Sequence, residues 1–142
     1  MDAIWSAAVA EHPSATRVRA ALDAYDRSDF DTLRSFLAED IVWHVGGRHP
    51  LSGDYRGRDA VIEYCQKAQA AAGGTLRGGL LEILADDRRA GVFNRISGER
   101  DGKRLDAVLA QAITFDDEGR WTEYWALADA QDEVDEFWAG AS

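Results

Sequence analysis

His44 is the residue whose type first suggests chemistry. It sits in the run Ile41-Val42-Trp43-His44-Val45, and an imidazole titrates near neutrality, which suits general acid–base work. Strict alternation along an extended segment sends its ring to the side opposite Trp43 and Val45; a structural, hydrogen-bonded histidine is the plainer reading, and a bulge would reverse the side. His49 and Asp54 are near enough in sequence to suggest a metal set with His44. A strand followed by a turn-rich loop has no recognised ligand spacing, so no metal is expected. Cys65 falls between Val61 and Ala68 at helical spacing and reads as a small buried apolar group, since no activating base can be assigned to it. Gly46-Gly47 and the stretch from Gly53 to Gly57 fit neither a phosphate loop nor a dinucleotide fingerprint, and no cofactor is expected. The acidic run Asp132, Glu133, Asp135 and Glu136 reads as a solvated helix face.

The chain that must position these groups has 142 residues, room for a single domain spanning 1–142. It is 46% apolar and 30% charged with two prolines, which excludes a disordered or low-complexity chain. Sixteen basic residues against 26 acidic ones leave a net charge of −10, and that sign argues against nucleic acid and anionic membrane surfaces as partners. One cysteine excludes an internal disulfide. No apolar run reaches the roughly 18 residues of a membrane span. The opening MDAIWSAAVAEHP has an acid at Asp2 and no basic stretch, unlike a signal peptide, so a cytoplasmic location is expected.

Turn signals divide the chain into elements. Pro13 and Ser14 open a first helix, with Ser14 as its expected cap, and Val18, Ala21, Leu22 and Tyr25 recur along one face. A second helix begins at Asp29 and buries Leu33, Phe36 and Leu37. IVWHV then reads as a strand and GGRHPLSGDYRG as a loop. A third helix is expected over about 59–72, ending at Gly73-Gly74. Beyond Leu76 the apolar period becomes two, with strands expected over 76–85, 90–100, 104–115 and 121–128. Asp101-Gly102 forms the hairpin between the second and third of these. Asp129 is the expected cap of a last short helix carrying Val134, Phe137 and Trp138. Helices followed by an antiparallel meander make an α+β fold.

The order of these elements resembles the cone-shaped fold of the nuclear transport factor 2-like superfamily. FDTLRSFLAEDIVWHVGG, PLSGDYRGRDAVIEY, EYWALAD and DEFW are similar to runs of its SnoaL-like proteins. The resemblance implies three N-terminal helices packed on a strongly bent, mainly antiparallel sheet that encloses a pocket, with a short C-terminal helix. It also implies a choice among polyketide cyclase, ketosteroid isomerase, epoxide hydrolase and dehydratase chemistry, because this fold hosts all of them. ERDGKRLDAVLAQAITF lines up without gaps with ketosteroid isomerases. Their general-base aspartate then falls on Val45, their oxyanion tyrosine on Ala21 and their second oxyanion donor on Gln111. Steroid isomerisation by that mechanism is therefore not expected.

The same comparison implies inward positions for Asn94, Ile96, Gly98, Leu109, Gln111, Ile113, Tyr124, Ala126 and Ala128, with Trp43 in the wall and Tyr64 added by the third helix. No carboxylate falls on that list. Gln111, Asn94 and Tyr124 would orient and polarise a small-molecule ligand, with Trp43, Tyr64, Asn94, Ile96 and Leu109 holding it. His44, or a carboxylate not placed by the sequence, would move the proton. The expected function is cofactor-free cyclisation, isomerisation, dehydration or epoxide opening of a small apolar molecule of polyketide or terpenoid kind. The alternatives are a non-catalytic binding module and a dimerisation domain. Alternation sends Phe93, Arg95, Val108, Ala110, Ala112, Trp121, Glu123 and Trp125 to the outer face, where the resemblance implies a homodimer. The competing arrangement folds Phe137 and Trp138 of the last helix over that face.

Overall fold

The computed structural model of the chain describes residues 11–141, so most of the N-terminal stretch compared above with a signal peptide lies outside the described residues. Pro13 opens α1 (Pro13–Asp26), whose missing amide hydrogen suits a first helical position. The cap is His12 rather than the expected Ser14: its Nδ1 accepts the Ser14 amide at 3.0 Å, and Ser14 itself is buried. Asp29 caps α2 (Phe30–Ser35) through the Thr32 amide. Leu37 is not part of that helix but starts β1 (Leu37–Val45). The stretch read as loop contains β2 (Gly53–Arg56), paired antiparallel to β1, and α3 (Arg58–Ala71) follows it. The meander is β3 (Arg77–Ala85), β4 (Arg89–Arg100), β5 (Lys103–Phe115) and β6 (Trp121–Ala128), and α4 (Gln131–Trp138) ends it.

Asp101 and Gly102 both have positive φ, 49° and 76°, the conformation of a two-residue turn whose twist matches the flanking strands. The resulting β4–β5 hairpin carries pairs from Arg100–Lys103 to Arg89–Thr114. The strands lie in one open sheet in the order β2-β1-β6-β5-β4-β3. The three helices therefore do not form an N-terminal block, since β1 and β2 stand between the second and third. The sheet is mixed, because β1 runs parallel to β6.

Alternation puts Ala90, Val92, Asn94, Ala107, Gln111, Ile113 and Tyr124 on a buried face. Val18, Ala21, Leu33, Val61 and Cys65 from the helices meet that face in one cluster, and Ala68, Ala72, Val134, Phe137 and Trp138 meet Leu105 and Ala107 in another. Trp121 overturns its expected outward position. The β5–β6 register slips between Thr114–Glu123 and Phe115–Trp121, so Thr122 is an extra residue and its hydroxyl bonds Thr114 at 2.7 Å. This bulge reverses the parity, and Trp121 is 1% exposed in the core.

The last helix covers the inner face, contrary to the competing arrangement. Its cap position is Ala130, while Asp129 accepts the Val108 amide instead. Its terminal carbonyls are satisfied from the hairpin: Arg100 donates to Phe137 and Ala139, and Lys103 donates to Glu136. Phe137 is fully buried and reaches over Gly98. Phe137→Ala is expected to lower unfolding stability by about 3–5 kcal/mol, measured by urea denaturation; a loss below ~1 kcal/mol would mean that α4 is a loose cover.

Candidate functional site

Trp43 and Tyr124 are register partners across the parallel β1–β6 pair, and their rings stack with centroids 3.7 Å apart. Trp121 extends the stack on Trp43 at 6.2 Å. These aromatics wall a cavity of about 140 Å³ between the sheet and the helices. An apolar cavity of roughly 150 Å³ takes up one benzene ring, so the enclosed space suits one ring of a ligand. Tyr64, Asn94, Ile96, Leu109, Gln111 and Tyr124 all line it. Of the positions carried over from ketosteroid isomerases, Val45 and Ala21 are apolar and Gln111 alone is polar, and all three line the same cavity.

Gln111 and Tyr124 form the polar centre. Gln111 Nε2 donates to the Tyr124 hydroxyl at 2.5 Å. A hydroxyl that accepts this bond keeps its own proton free to donate. Burial pushes the Tyr124 phenol up, and the Gln111 bond only partly offsets that, so the hydroxyl stays protonated. The Gln111 Oε1 and Trp121 Nε1 atoms are buried with no hydrogen-bond partner among the described residues. Each such atom costs stability, on the order of 1–3 kcal/mol.

A carboxylate absent from the sequence expectations also reaches the cavity. Asp26 is the last residue of α1, and its Oδ1 accepts the Gly78 amide at 3.0 Å. Burial is the main influence raising its pKa above the ordinary carboxylate value; the Gly78 bond and Arg77 oppose it, and Asp23 reinforces it. Nothing in the local pattern distinguishes Asp26 from the exposed Asp23 and the half-buried helix cap Asp29, because only packing against β3 turns its side chain inward.

His44 does not join this set. It borders the cavity, but its ring turns to the outer face, where Nδ1 meets Asp54 at 2.7 Å, Nε2 meets Glu123 at 2.7 Å, and Trp125 stacks on it at 5.3 Å. Alternation predicts this side, and no bulge reverses it. The Glu123 bond chiefly, then Asp54, hold its pKa above the ordinary histidine value against partial desolvation. His49 lines the cavity at another point, its Nδ1 accepting the Leu51 amide. Among the described residues no group of three histidine, cysteine or acidic side chains is arranged to hold a metal ion. Cys65 is fully buried and its thiol is pushed up to about 12, which keeps it protonated.

Residues 18–124 match the model of the SnoaL-like domain family. The chain belongs to the SnoaL-like family. An uncharacterized protein of Mycobacterium tuberculosis strain H37Rv, Rv0034, is 34% identical over 98 residues, 68% of this chain and 75% of that one. Among solved structures, Bal32a from a soil-derived mobile gene cassette superimposes with a TM-score of 0.84 at 32% identity, covering 88% of this chain and 95% of its own. An LEH-like epoxide hydrolase from M. tuberculosis superimposes with a TM-score of 0.69 at 21% identity, covering 87% and 88%. That identity carries the fold alone, which is the nuclear transport factor 2-like one. Among the described residues of this SnoaL-like domain no helix is long and apolar enough to cross a membrane.

The raised His44 pKa has a testable sign. Its stabilising contribution is complete below the unfolded histidine value and is lost as pH rises through the folded value. Melting temperatures of the protein and of His44→Gln should therefore converge as pH rises above the ordinary histidine range. A gap that does not change with pH would mean that His44 is not charged in this cluster.

Proposed function

We propose that this SnoaL-like domain is a cofactor-free enzyme that binds a small, largely apolar, oxygen-bearing molecule of polyketide or terpenoid kind. The reaction is cyclisation, isomerisation, dehydration or epoxide opening at an oxygen polarised by Tyr124. The observation that carries this reading is the Gln111–Tyr124 bond inside the apolar cavity. It presents a protonated hydroxyl, already oriented and out of water, to whatever oxygen enters. Such a donor needs no reorganisation as charge develops on a carbonyl or epoxide oxygen. Trp43, Tyr64, Ile96 and Leu109 supply the apolar wall and Asn94 a second amide. The cavity volume favours a single ring over a four-ring steroid. His44 borders the cavity, but both of its ring nitrogens are taken by Asp54 and Glu123, which do not line it, so its imidazole is reassigned from proton carrier to structural member of an ion cluster.

The test is a screen of one-ring enones, epoxides and cyclisable diketones, followed by Tyr124→Phe on the best substrate. Loss of one donor to a developing oxyanion is expected to lower kcat roughly 10²–10³-fold per folded molecule, on top of a lower melting temperature from the orphaned Gln111 amide. Unaltered kcat would remove the pair from the mechanism. Saturable binding of cyclohexanone without turnover of any class would favour the binding module.

The outer face supports a second proposal, a homodimer. Phe93, Ala110 and Leu127 form one cross-strand row, and Ala112 and Trp125 lie in the next. Leu127 is 70% exposed, and Phe93 and Trp125 are exposed beside it, while Val108 is half-buried. Trp121 is withdrawn from this surface by the Thr122 bulge. The helices α1, α3 and α4 all pack on the opposite face, and a self-complementary sheet face is simply covered by a second copy. Sedimentation should give a species of twice 15.6 kDa, dissociated by Leu127→Lys without unfolding. A 15.6 kDa species at micromolar concentration would end this reading.

A further inference from the structure

We infer that Asp26 is the general base of this cavity, positioned to take a proton from a carbon acid whose developing negative charge is met by Tyr124. The inference rests on the reading of the cavity as an enzyme site and adds the proton carrier which that reading lacks.

Four observations support it. The carboxylate lines the same cavity as Asn94, Gln111 and Tyr124. One oxygen is fixed by the Gly78 amide at 3.0 Å, which orients the group without neutralising it. The space beside it exists because residue 78 is glycine. A Cβ there would lie 3.1 Å from both carboxylate oxygens and 3.3 Å from Asn94 Nδ2. The carboxylate also stands at the C-terminal end of α1, where the helix dipole disfavours negative charge. Together with burial, this makes it a stronger base than an exposed aspartate. The titratable and charged groups acting on it are Asp23 and Tyr25 on its own helix and Arg77 on β3.

The chemistry can be read with a carbon acid that is independent of the natural substrate. With 5-nitrobenzisoxazole, the Asp26 carboxylate takes the C3 proton. The C–H electron pair completes the nitrile, the N–O bond breaks, and the oxygen leaves as a nitrophenolate hydrogen-bonded by Tyr124. The proton on Asp26 then returns to water, so no oxidant or cofactor enters.

The rate of nitrophenolate release should rise with pH through a single ionisation whose midpoint lies above the ordinary carboxylate range. Asp26→Asn should lower kcat/KM by roughly 10²–10⁴-fold, the usual size of a general-base contribution, and Asp26→Glu should restore part of it. Gly78→Ala, which crowds the carboxylate but leaves it ionisable, should also slow release. A carboxylate raised in the folded state costs stability once ionised, so Asp26→Asn should melt no lower than the parent at pH 7. Binding of 5-nitroindole, which has no such bond to break, is measured alongside. Full activity of Asp26→Asn, or a rate without the carboxylate limb, overturns the assignment. Binding of 5-nitroindole without elimination of 5-nitrobenzisoxazole overturns Asp26 as base and leaves the cavity reading standing. Failure to bind either ring overturns both.

Discussion

The parallel pairing of β1 with β6 is the joint on which the rest of this structure depends. The meander can form its ladders from sequence neighbours, but β1 reaches its place only by lying beside the last strand. That contact sets Trp43 against Tyr124, turns the aromatic stack into a cavity wall, and brings β2 to the sheet edge. It also sets His44 beside Glu123 on the other face, where the β1–β2 pair adds Asp54. One register choice thus assigns the two faces different work: an apolar interior with few polar atoms, and an exterior of ion clusters around exposed aromatics. A slip by one residue would exchange the two sets.

Much of the meander was legible because its signals are local. Asp101-Gly102 has the φ angles its residue types predict, and Gly73-Gly74 follows the end of the third helix. Alternation over residues 92–113 correctly separates buried from exposed positions. The failures share a cause, which is contact with a distant part of the chain. Leu37 has helical spacing from Leu33, yet it pairs with Trp121 and becomes strand. The segment Gly53–Arg56 consists of turn-forming residues and is a strand only because β1 offers it an edge. Nothing in the string WTEYW marks Thr122 as the extra residue, since the bulge depends on where Phe115 meets Trp121. Asp26 looks like any acid at a helix end until β3 packs beside it.

The candidate site is also where the structure gives up stability. Among the described residues Gln111 Oε1 and Trp121 Nε1 lack partners, and Asp26 carries a charge in partly desolvated surroundings. Elsewhere the same chain satisfies its termini with care: His12, Asp29, Arg100 and Lys103 each supply a helix end with a partner. Among the described residues Arg58 Nε and Gln69 Oε1 are orphaned as well, outside the cavity lining, so what marks the site is two unpaired polar atoms together with a partly desolvated carboxylate on one cavity.

The wide sequence separation of β1 and β6 also matters during synthesis. The chain leaves the ribosome from its N-terminus, so β1 with Ile41 and Trp43 emerges long before Trp121 is translated. Until then only the β2 edge of β1 is paired, its other edge is open, and Trp43 lacks the ring it later stacks on. The helices α1, α2 and α3 are complete in that interval and already carry the apolar residues that meet β1 in the finished core. They are therefore suited to shelter the unpaired strand on the nascent chain. The β1–β6 pairing spans the widest sequence separation between neighbouring strands of the sheet, so it carries the largest loop-closure cost of its ladders.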